Sequence, residues 1–160
     1  MKKTIQEWMS ESGVKFGTSG ARGLATAMTD AVCYAYTSGF LQYLDQIGEL
    51  SPPGTEVVIG GDFRPSTGRI MEAVRRAVAD RGYVSVNAGR TPSPAVALYG
   101  LSQGIPSIMV TGSHIPDDRN GIKFNKCSGE LLKEDEGGML SQSVETPDML
   151  FDSAGFFSDT

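Results

Sequence analysis

Residues 105–124 read IPSIMVTGSHIPDDRNGIKF, and the fold can be worked out from this stretch. An apolar run over residues 105–110 predicts a short buried strand, and a strand-like alternation restarts at Ile122. Between them lie a serine, the only histidine of the chain, two aspartates, an arginine and an asparagine. Open α/β sheets carry reactive side chains on loops that follow buried strands. The stretch therefore predicts a strand that leads into a functional loop at a sheet edge.

The residues before this stretch alternate between strand and helix patterns. Strands are predicted at 56–60 and 83–86, and helices at 66–81 and 94–104, with an earlier helix that begins at Thr29. Such alternation indicates βαβ units. We therefore predict an α/β fold, a three-layer α/β/α sandwich with a mostly parallel mixed sheet, over residues 1–145. Residues 146–160 lack a clear pattern and are interpreted as a linker toward a missing second domain.

The loops of this fold carry most of the candidate binding groups. In βαβ units, the loops that leave the carboxyl ends of the strands lie at one sheet edge. We assign four loops to that edge, at 17–23, 60–66, 88–92 and 111–121. Each contributes one arginine: Arg22, Arg64, Arg90 and Arg119. Glycines in the first loop would let backbone N–H groups approach an anion. The edge is therefore predicted to bind a phosphate or another anion.

Composition excludes several classes of function. The chain has 160 residues, a formal net charge of -5, 39% hydrophobic and 21% charged residues, as in ordinary globular domains. The acidic balance argues against nucleic acid as a partner, and no apolar run reaches the length of about 20 residues that a membrane span needs. Two distant cysteines and one histidine provide no zinc-site spacing and suggest free thiols. We expect a cytoplasmic protein.

Ser113 is the residue around which the chemistry can be argued. A serine hydrolase is disfavoured, because the nucleophile-elbow motif and a second histidine are both absent. The motifs of nucleoside triphosphate and dinucleotide binding are absent as well. A phosphoserine fits better, since it is nearly dianionic and needs cations and donors around it. Arg22, Arg119, Lys123 and His114 are candidates for that role.

Four motifs carry a resemblance to a known family. They are Phe16-Gly17-Thr18-Ser19-Gly20-Ala21-Arg22-Gly23, Gly61-Asp62-Phe63-Arg64-Pro65-Ser66, Thr91-Pro92-Ser93-Pro94-Ala95 and Thr111-Gly112-Ser113-His114-Ile115-Pro116. Their order and spacing resemble the first domain of the α-D-phosphohexomutases, a superfamily that includes phosphoglucomutase and phosphomannomutase. The resemblance covers about residues 14–136.

The resemblance implies a mechanism. A phosphorylated serine, here Ser113, gives its phosphoryl group to a hexose phosphate, and a hexose 1,6-bisphosphate intermediate returns the other phosphoryl group. Hexose 1-phosphate and hexose 6-phosphate are thereby interconverted. Mg²⁺ would bind Ser113 through its phosphate. The implied catalytic residues are Ser113, His114, Lys123 and Arg22, with Lys123 assisting proton transfer. Substrate or phosphate binding is assigned to Thr18, Ser19, Arg22, Arg64, Arg119 and Asn120.

The chain departs from the family pattern in two ways. The usual loop reads Thr-Ala-Ser-His-Asn-Pro, whereas this chain has Gly112 and Ile115 at the second and fifth positions. We expect the glycine to loosen the backbone without changing the chemistry. Family members also have four domains, and the remaining metal ligands belong to the second. We therefore expect this chain to be inactive without the other domains of its parent chain. The alternative is a non-catalytic module that binds phosphate or a sugar phosphate.

Overall fold

The computed structural model describes residues 2–17, 20–50, 55–113 and 115–158. Over these residues the chain forms five helices and nine strands. The helices are α1 (Ile5–Ser12), α2 (Asp30–Gln46), α3 (Thr67–Asp80), α4 (Ser93–Gln103) and α5 (Lys133–Leu140). The strands are β1 (Lys2–Thr4), β2 (Lys15–Gly17), β3 (Gly20–Leu24), β4 (Glu56–Gly61), β5 (Val84–Arg90), β6 (Ser107–Val110), β7 (Arg119–Lys126), β8 (Gly129–Glu130) and β9 (Ser143–Glu145).

Seven of the described strands form one mixed sheet. Its order is β2-β3-β7-β6-β4-β5, and β8 pairs with β7. The predicted α/β sandwich with a mixed sheet is confirmed. Parallel pairing is confined to β4 and its neighbours β5 and β6, while the other pairs are antiparallel. The parallel share is smaller than predicted because residues 111–118, which join β6 to β7, are too few for the crossover that parallel strands need.

Alternating side chains of the strands face two separate hydrophobic cores. Ile59 and Ile108 belong to the larger core, which also contains buried residues of α2 and α3. Val58 and Met109, their neighbours in sequence, belong to the smaller core with Val96 of α4. This period of two places helices on both faces of the sheet. The loops at the carboxyl ends of β4, β5 and β6 are then available for a functional site.

Helix α2 lies at the centre of the larger core. It begins as predicted, with Thr29 Oγ1 accepting a hydrogen bond from the Val32 N–H at 3.3 Å. The rings of Phe40 and Phe124 lie 4.7 Å apart, which joins the helix to β7. Tyr36 Oη donates to the Val14 carbonyl at 2.7 Å, so the phenol is satisfied inside the core. The aromatic face of this helix is therefore core.

The chain ends of the described structure pack against the same helix. β1 pairs with β9 in a separate two-stranded sheet. Beyond β9, Phe151 stacks on Phe157 with centroids 5.3 Å apart and meets Tyr34 of α2 at 5.5 Å. The Phe157 N–H also donates to Asp30 Oδ2 at 3.0 Å. Residues 146–158 thus pack on the domain, while a linker role for 146–160 stays a prediction. Among the described helices, none combines the length and apolar character of a bilayer span.

Candidate active site

Three of the four predicted loops meet at one edge of the sheet. They lie at the carboxyl ends of β4, β5 and β6, which run in the same direction. The predicted bounds are too wide, because residues 60–61 belong to β4, 88–90 to β5 and 119–121 to β7. Backbone hydrogen bonds join the loops, because the Asp62 N–H donates to the Val110 carbonyl at 3.0 Å and the Thr91 N–H donates to the Gly61 carbonyl at 3.2 Å. The positions of the three loops relative to one another are therefore set by the strands beneath them.

Ser113 lies exposed on the loop that follows β6. Its φ is 58°, the one positive value found for a non-glycine residue in the described part of the chain. Its N–H donates to Thr111 Oγ1 at 3.0 Å, and the Ile115 N–H donates to the Gly112 carbonyl at 3.1 Å. A left-handed serine is uncommon and persists where its surroundings hold it. The serine is thus presented to solvent on a tightly bonded turn.

Asp62 is the anchor of this turn. Its Oδ2 accepts from the Gly112 N–H at 3.1 Å and from Arg64 Nε at 3.1 Å, and its Oδ1 accepts from Thr67 Oγ1 at 2.5 Å and from the Arg64 N–H at 3.1 Å. Burial by itself would raise the pKa of the Asp62 carboxyl, but these bonds outweigh burial and lower it. The carboxylate therefore stays charged and bridges the loops after β4 and β6.

Arg64 lies beneath the serine loop with its side chain 9% exposed. Its Nη2 donates to the Ile115 carbonyl at 2.5 Å and to the Ser113 carbonyl at 3.3 Å. Its Nη1 donates to the carbonyls of Pro116 at 2.6 Å and Arg119 at 3.3 Å. With Nε on Asp62, all three guanidinium nitrogens are engaged inside the protein.

Arg22 and Lys123 occupy adjoining strands beside this loop. Arg22 of β3 pairs with Gly121 of β7, and Lys123 lies two residues along the same face. A Cβ built on Gly121 would lie 2.9 Å from the Ala21 carbonyl oxygen, 3.0 Å from that of Thr111 and 3.1 Å from Arg22 Cγ, so the glycine permits close packing at this point. No side-chain partner of Arg22 is found in the ranges that the structure describes. Lys123 Nζ lies 3.3 Å from Glu130 Oε1.

The other predicted binding residues differ in their surroundings. Arg119 is exposed at the start of β7. Asn120 is fully buried, and its Nδ2 donates to Ser66 Oγ at 2.8 Å and to Thr67 Oγ1 at 3.1 Å. Arg90 is exposed at the end of β5, where its Nη1 donates to the Asp62 carbonyl. Asn120 therefore braces the start of α3, and Arg90 braces the loop after β4.

The remaining predicted residues cannot be placed in this geometry. Thr18, Ser19 and His114 lie outside the described residues. The expectation that 17–23 forms a loop is wrong for residue 17, which ends β2, and for residues 20–23, which belong to β3. The glycine at position 20 is required there because a Cβ would lie 2.0 Å from the Ile122 carbonyl oxygen. Close packing of β3 against β7, rather than a loop that approaches an anion, therefore explains the glycine at position 20.

Sequence reasoning did not assign Asp62, Thr67 or Thr111 to the site. All three shape the serine loop through the bonds described above. The available signal was the spacing of Asp62 and Arg64 on a loop directly after a buried strand. An acid and a base two residues apart at a predicted functional edge could have been interpreted as a pair that organises the neighbouring loop.

Metal-binding capacity can be judged from the oxygen donors at this edge. Mg²⁺ prefers six oxygen ligands, commonly one or two carboxylates with phosphate and water. No group of three or more histidine, cysteine or acidic side chains suited to a metal is found across residues 2–17, 20–50, 55–113 and 115–158. Asp62 is committed to its four donors. A phosphorylated Ser113 could give one ligand, so these residues fit Mg²⁺ only in part.

The family of this chain is decided by its match to a family model. Residues 13–150 match the model described as "Phosphoglucomutase/phosphomannomutase, alpha/beta/alpha domain I". The chain belongs to this family. The match covers the whole sheet and all the residues of the site, and it confirms the resemblance to domain I of the phosphohexomutases that the four sequence motifs indicated.

Similar proteins agree with this membership. A phosphomannomutase of Sinorhizobium fredii is 48% identical over 124 residues, which cover 78% of this chain and 26% of the relative. A phosphomannomutase of Salmonella muenchen is 42% identical, covering 82% of this chain and 27% of the relative. A phosphoglucosamine mutase of Synechococcus is 35% identical, and the match covers 78% of this chain and 26% of the relative.

A solved structure supports the fold. It is that of a phosphoglucomutase/phosphomannomutase family protein from Burkholderia thailandensis, which matches with a TM-score of 0.63 and 25% identity. The match covers 78% of this chain and 28% of the solved one. The chain thus spans about a quarter of the length of the curated relatives that it matches.

Proposed function

We propose that this chain is the catalytic-serine domain of a phosphohexomutase, which interconverts hexose 1-phosphate and hexose 6-phosphate. The observation that carries the proposal is the exposed, left-handed Ser113 on a loop anchored by Asp62, together with Arg22 of β3, for which the described residues provide no side-chain partner. A half-buried arginine that bonds to no other side chain among the described residues is suited to an incoming phosphate. The family membership supports the same reaction class.

In the proposed reaction Ser113 carries the phosphoryl group between the two positions of the sugar. The bond from phosphorus to Ser113 Oγ breaks, a bond from phosphorus to a sugar hydroxyl oxygen forms, and the hydroxyl proton leaves to a base. The hexose 1,6-bisphosphate then returns its other phosphoryl group to Ser113. Arg22 would neutralise the phosphate charge, and Lys123 remains the candidate for proton transfer. His114 keeps its role by resemblance alone.

Arg64 and Asn120 are omitted from the proposed phosphate-binding set. Their donors are already bonded to carbonyl and hydroxyl oxygens of the protein. Arg22 and Arg119 remain in the set, together with Thr18 and Ser19, which the sequence motif suggests. Mg²⁺, when bound to the phosphate on Ser113, would supply further charge neutralisation. We propose that its other ligands come from the rest of the parent chain.

The substrate class is proposed to be a hexose phosphate. Relatives with mannose and glucosamine specificities are both similar to this chain, and the two phosphomannomutases have the higher identities. This supports mannose phosphates as the first substrates to test. Glucose phosphates follow, since the family description also names phosphoglucomutase. The free cysteines Cys33 and Cys127 agree with the proposed cytoplasmic location.

The test is replacement of Ser113 by alanine in the protein as its gene encodes it. Loss of the phosphoryl carrier should lower mutase kcat by more than about 10⁴-fold, as loss of a covalent nucleophile does elsewhere. Ser102→Ala, at an exposed serine of α4, is the matched control and should leave kcat unchanged. Activity is followed with mannose 1-phosphate and glucose 1-phosphate in a coupled assay. Near-normal kcat in Ser113→Ala would refute the carrier role.

The alternative binding module makes a different prediction for the same proteins. It requires that Ser113 never becomes labelled when the protein is incubated with ³²P-labelled hexose 1,6-bisphosphate. Hexose phosphate affinity would then be similar in Ser113→Ala and in the unaltered protein. Label recovered on the peptide that contains Ser113 would eliminate this alternative.

A further inference from the structure

We propose that Arg64 is the positioning residue of the serine loop, a buried guanidinium that binds the carbonyls of residues 113, 115, 116 and 119 and for which Gly112 leaves the space. This inference rests on the proposed phosphoserine function for its catalytic consequence. Its structural part rests only on the contacts of Arg64 itself.

The first argument is the distribution of the Arg64 hydrogen bonds. Four of its partners are backbone carbonyls: three belong to the loop between β6 and β7, at Ser113, Ile115 and Pro116, and the fourth is that of Arg119, the first residue of β7. Over its described residues, the loop between β6 and β7 forms no helix or strand that would pair its carbonyls, although the Pro116 carbonyl also accepts from the Arg119 N–H at 3.0 Å. One side chain thus gathers the carbonyl of the left-handed serine and three carbonyls that follow it, and so defines the path of the chain after Ser113.

The second argument is that Arg64 is itself held in place. Its Nε bonds to Asp62 Oδ2 at 3.1 Å, and the same oxygen accepts from the Gly112 N–H at 3.1 Å. Asp62 therefore fixes the guanidinium and the start of the serine loop with one oxygen atom. Asp117 Oδ1 lies 3.5 Å from Nη1, but its side chain is 88% exposed and adds little. The loop is held from beneath rather than by its surface charges.

The third argument concerns Gly112. A Cβ on this residue would lie 2.2 Å from Arg64 Cζ and 2.2 Å from Nε, far inside contact distance. The φ of Gly112 is not in the left-handed region, so the backbone does not require a glycine there. The space taken by the guanidinium explains the residue. Gly112 thus accommodates Arg64, in contrast to the sequence-based expectation that the glycine loosens the loop.

The consequence for the proposed reaction is control of Ser113 orientation. Arg64 cannot contact the transferred phosphoryl group while its nitrogens bond to loop carbonyls, so it acts through the loop. In phosphoryl transfer, catalysis depends mainly on position and charge, and small misplacements of the reacting oxygen are costly. Arg64 should therefore affect the rate of Ser113 labelling more than the binding of the hexose phosphate.

The experiment compares Arg64→Gln, Arg64→Lys and Gly112→Ala in the protein as its gene encodes it. Arg75→Ala is the matched control, because Arg75 is exposed and pairs with Glu72 on the same helix, α3. Hydrogen exchange of peptides that cover residues 111–119 reports the loop directly. Labelling of Ser113 by ³²P-labelled hexose 1,6-bisphosphate reports the reaction. Thermal unfolding midpoints show that each variant is folded.

We expect exchange in the loop to rise at least about fivefold in Arg64→Gln, which loses several hydrogen bonds, and to stay unchanged in Arg75→Ala. Labelling of Ser113 should slow by about 100-fold with little change in KM. Arg64→Lys should recover part of the rate. Gly112→Ala should also accelerate hydrogen exchange in the loop. In the double variant with Arg64→Gln, it should accelerate exchange little further, because both changes remove the guanidinium from its site.

The two readouts separate the possible failures. Unchanged loop exchange in folded Arg64→Gln overturns the positioning role, whatever the activity. A Ser113 label that forms at the normal rate in that variant also overturns it. If the unaltered protein takes no label on Ser113 while loop exchange responds to Arg64→Gln, the phosphoserine function fails and the structural part of the inference stands. If Arg64→Gln does not fold, Arg64→Lys and Gly112→Ala carry the same two tests.

Discussion

At the scale of single residues, Asp62 decides how the serine loop is held. Its carboxylate receives four hydrogen bonds from Arg64, Thr67 and Gly112, which belong to two loops and a helix. No neutral side chain of similar size can accept all of them, because an amide replaces one acceptor oxygen by a donor. The residue therefore requires a negative charge for structural reasons, separately from any chemistry.

This requirement predicts the effect of Asp62→Asn. The amide nitrogen of asparagine replaces one of the two acceptor oxygens, so donors of Arg64, Thr67 or Gly112 lose their acceptor. Each buried donor left unsatisfied should lower the free energy of unfolding by about 1–3 kcal/mol. The urea midpoint of the intact protein should fall, and exchange over residues 111–119 should rise. Asp117→Asn, at a side chain that is 88% exposed, is the control. Equal midpoints in the two variants would contradict the prediction.

The same variant has a pH signature. The pKa of Asp62 is lowered from its ordinary value of 3.8, so the folded protein favours the charged carboxylate. The stabilisation from the Asp62 carboxylate is fully present above pH 3.8, and it is lost as pH falls through the lower pKa that Asp62 has in the folded protein. In Asp62→Asn this part of the acid dependence should disappear. Urea midpoints of both proteins, measured from neutral pH down to below pH 3.8, test whether stability falls with acid only when Asp62 is present.

At the scale of elements, a buried network joins α2, α5 and β7. Asp135 Oδ1 accepts from Tyr43 Oη at 2.6 Å, and its Oδ2 accepts from the Leu132 N–H at 2.7 Å and lies 2.9 Å from Lys126 Nζ. The side chains of Lys126 and Asp135 are 11% and 6% exposed. Gly138 lets the helix approach the Tyr43 ring, because a Cβ there would lie 2.3 Å from Tyr43 Cε1. The short α5 is thus held by polar contacts.

This network predicts a large effect for Asp135→Ala. The change leaves the Lys126 ammonium buried without its partner, which should cost about 3–5 kcal/mol. Glu134→Ala, at an exposed acid on the same helix, should stay within about 0.5 kcal/mol of the unaltered protein. Urea unfolding monitored at the tyrosines measures both. A decrease in the free energy of unfolding of Asp135→Ala as small as that of Glu134→Ala would indicate that the network contributes little to stability.

At the scale of the whole molecule, the site lies on one edge of a domain that is about a quarter of its relatives' length. The described residues supply a serine loop, its anchor and neighbouring cations, but no group of acidic side chains that would complete a magnesium site. We propose that the remaining ligands and the sugar-binding groups belong to other domains. The edge that carries Ser113 would then face those domains across the bound sugar.

This arrangement predicts that the 160-residue chain is inactive when produced alone. It should give no detectable conversion of mannose 1-phosphate or glucose 1-phosphate with Mg²⁺ and hexose 1,6-bisphosphate present, because most of the substrate contacts would be missing. Circular dichroism confirms whether the chain has folded in the assay. The parent protein, measured in parallel, should be active and should lose activity on chelation. Turnover by the folded 160-residue chain would contradict the prediction.

The sequence by itself determined the α/β class, the carboxyl-terminal loops after β4, β5 and β6, and Ser113 as the central candidate. These features follow from local patterns, since hydrophobic periodicity sets strands and helices and short polar runs mark the loops. The motifs in the loops also identified the family correctly.

Only the tertiary structure decided that residues 20–24 form a strand and that Arg64 lies under the serine loop instead of facing outward. Both depend on partners distant in sequence: β7 receives Gly20 at a distance that excludes a Cβ, and the loop carbonyls surround the guanidinium. A sequence pattern reports the character of a residue, but the direction of a side chain is set by the donors, acceptors and free space that folding brings around it.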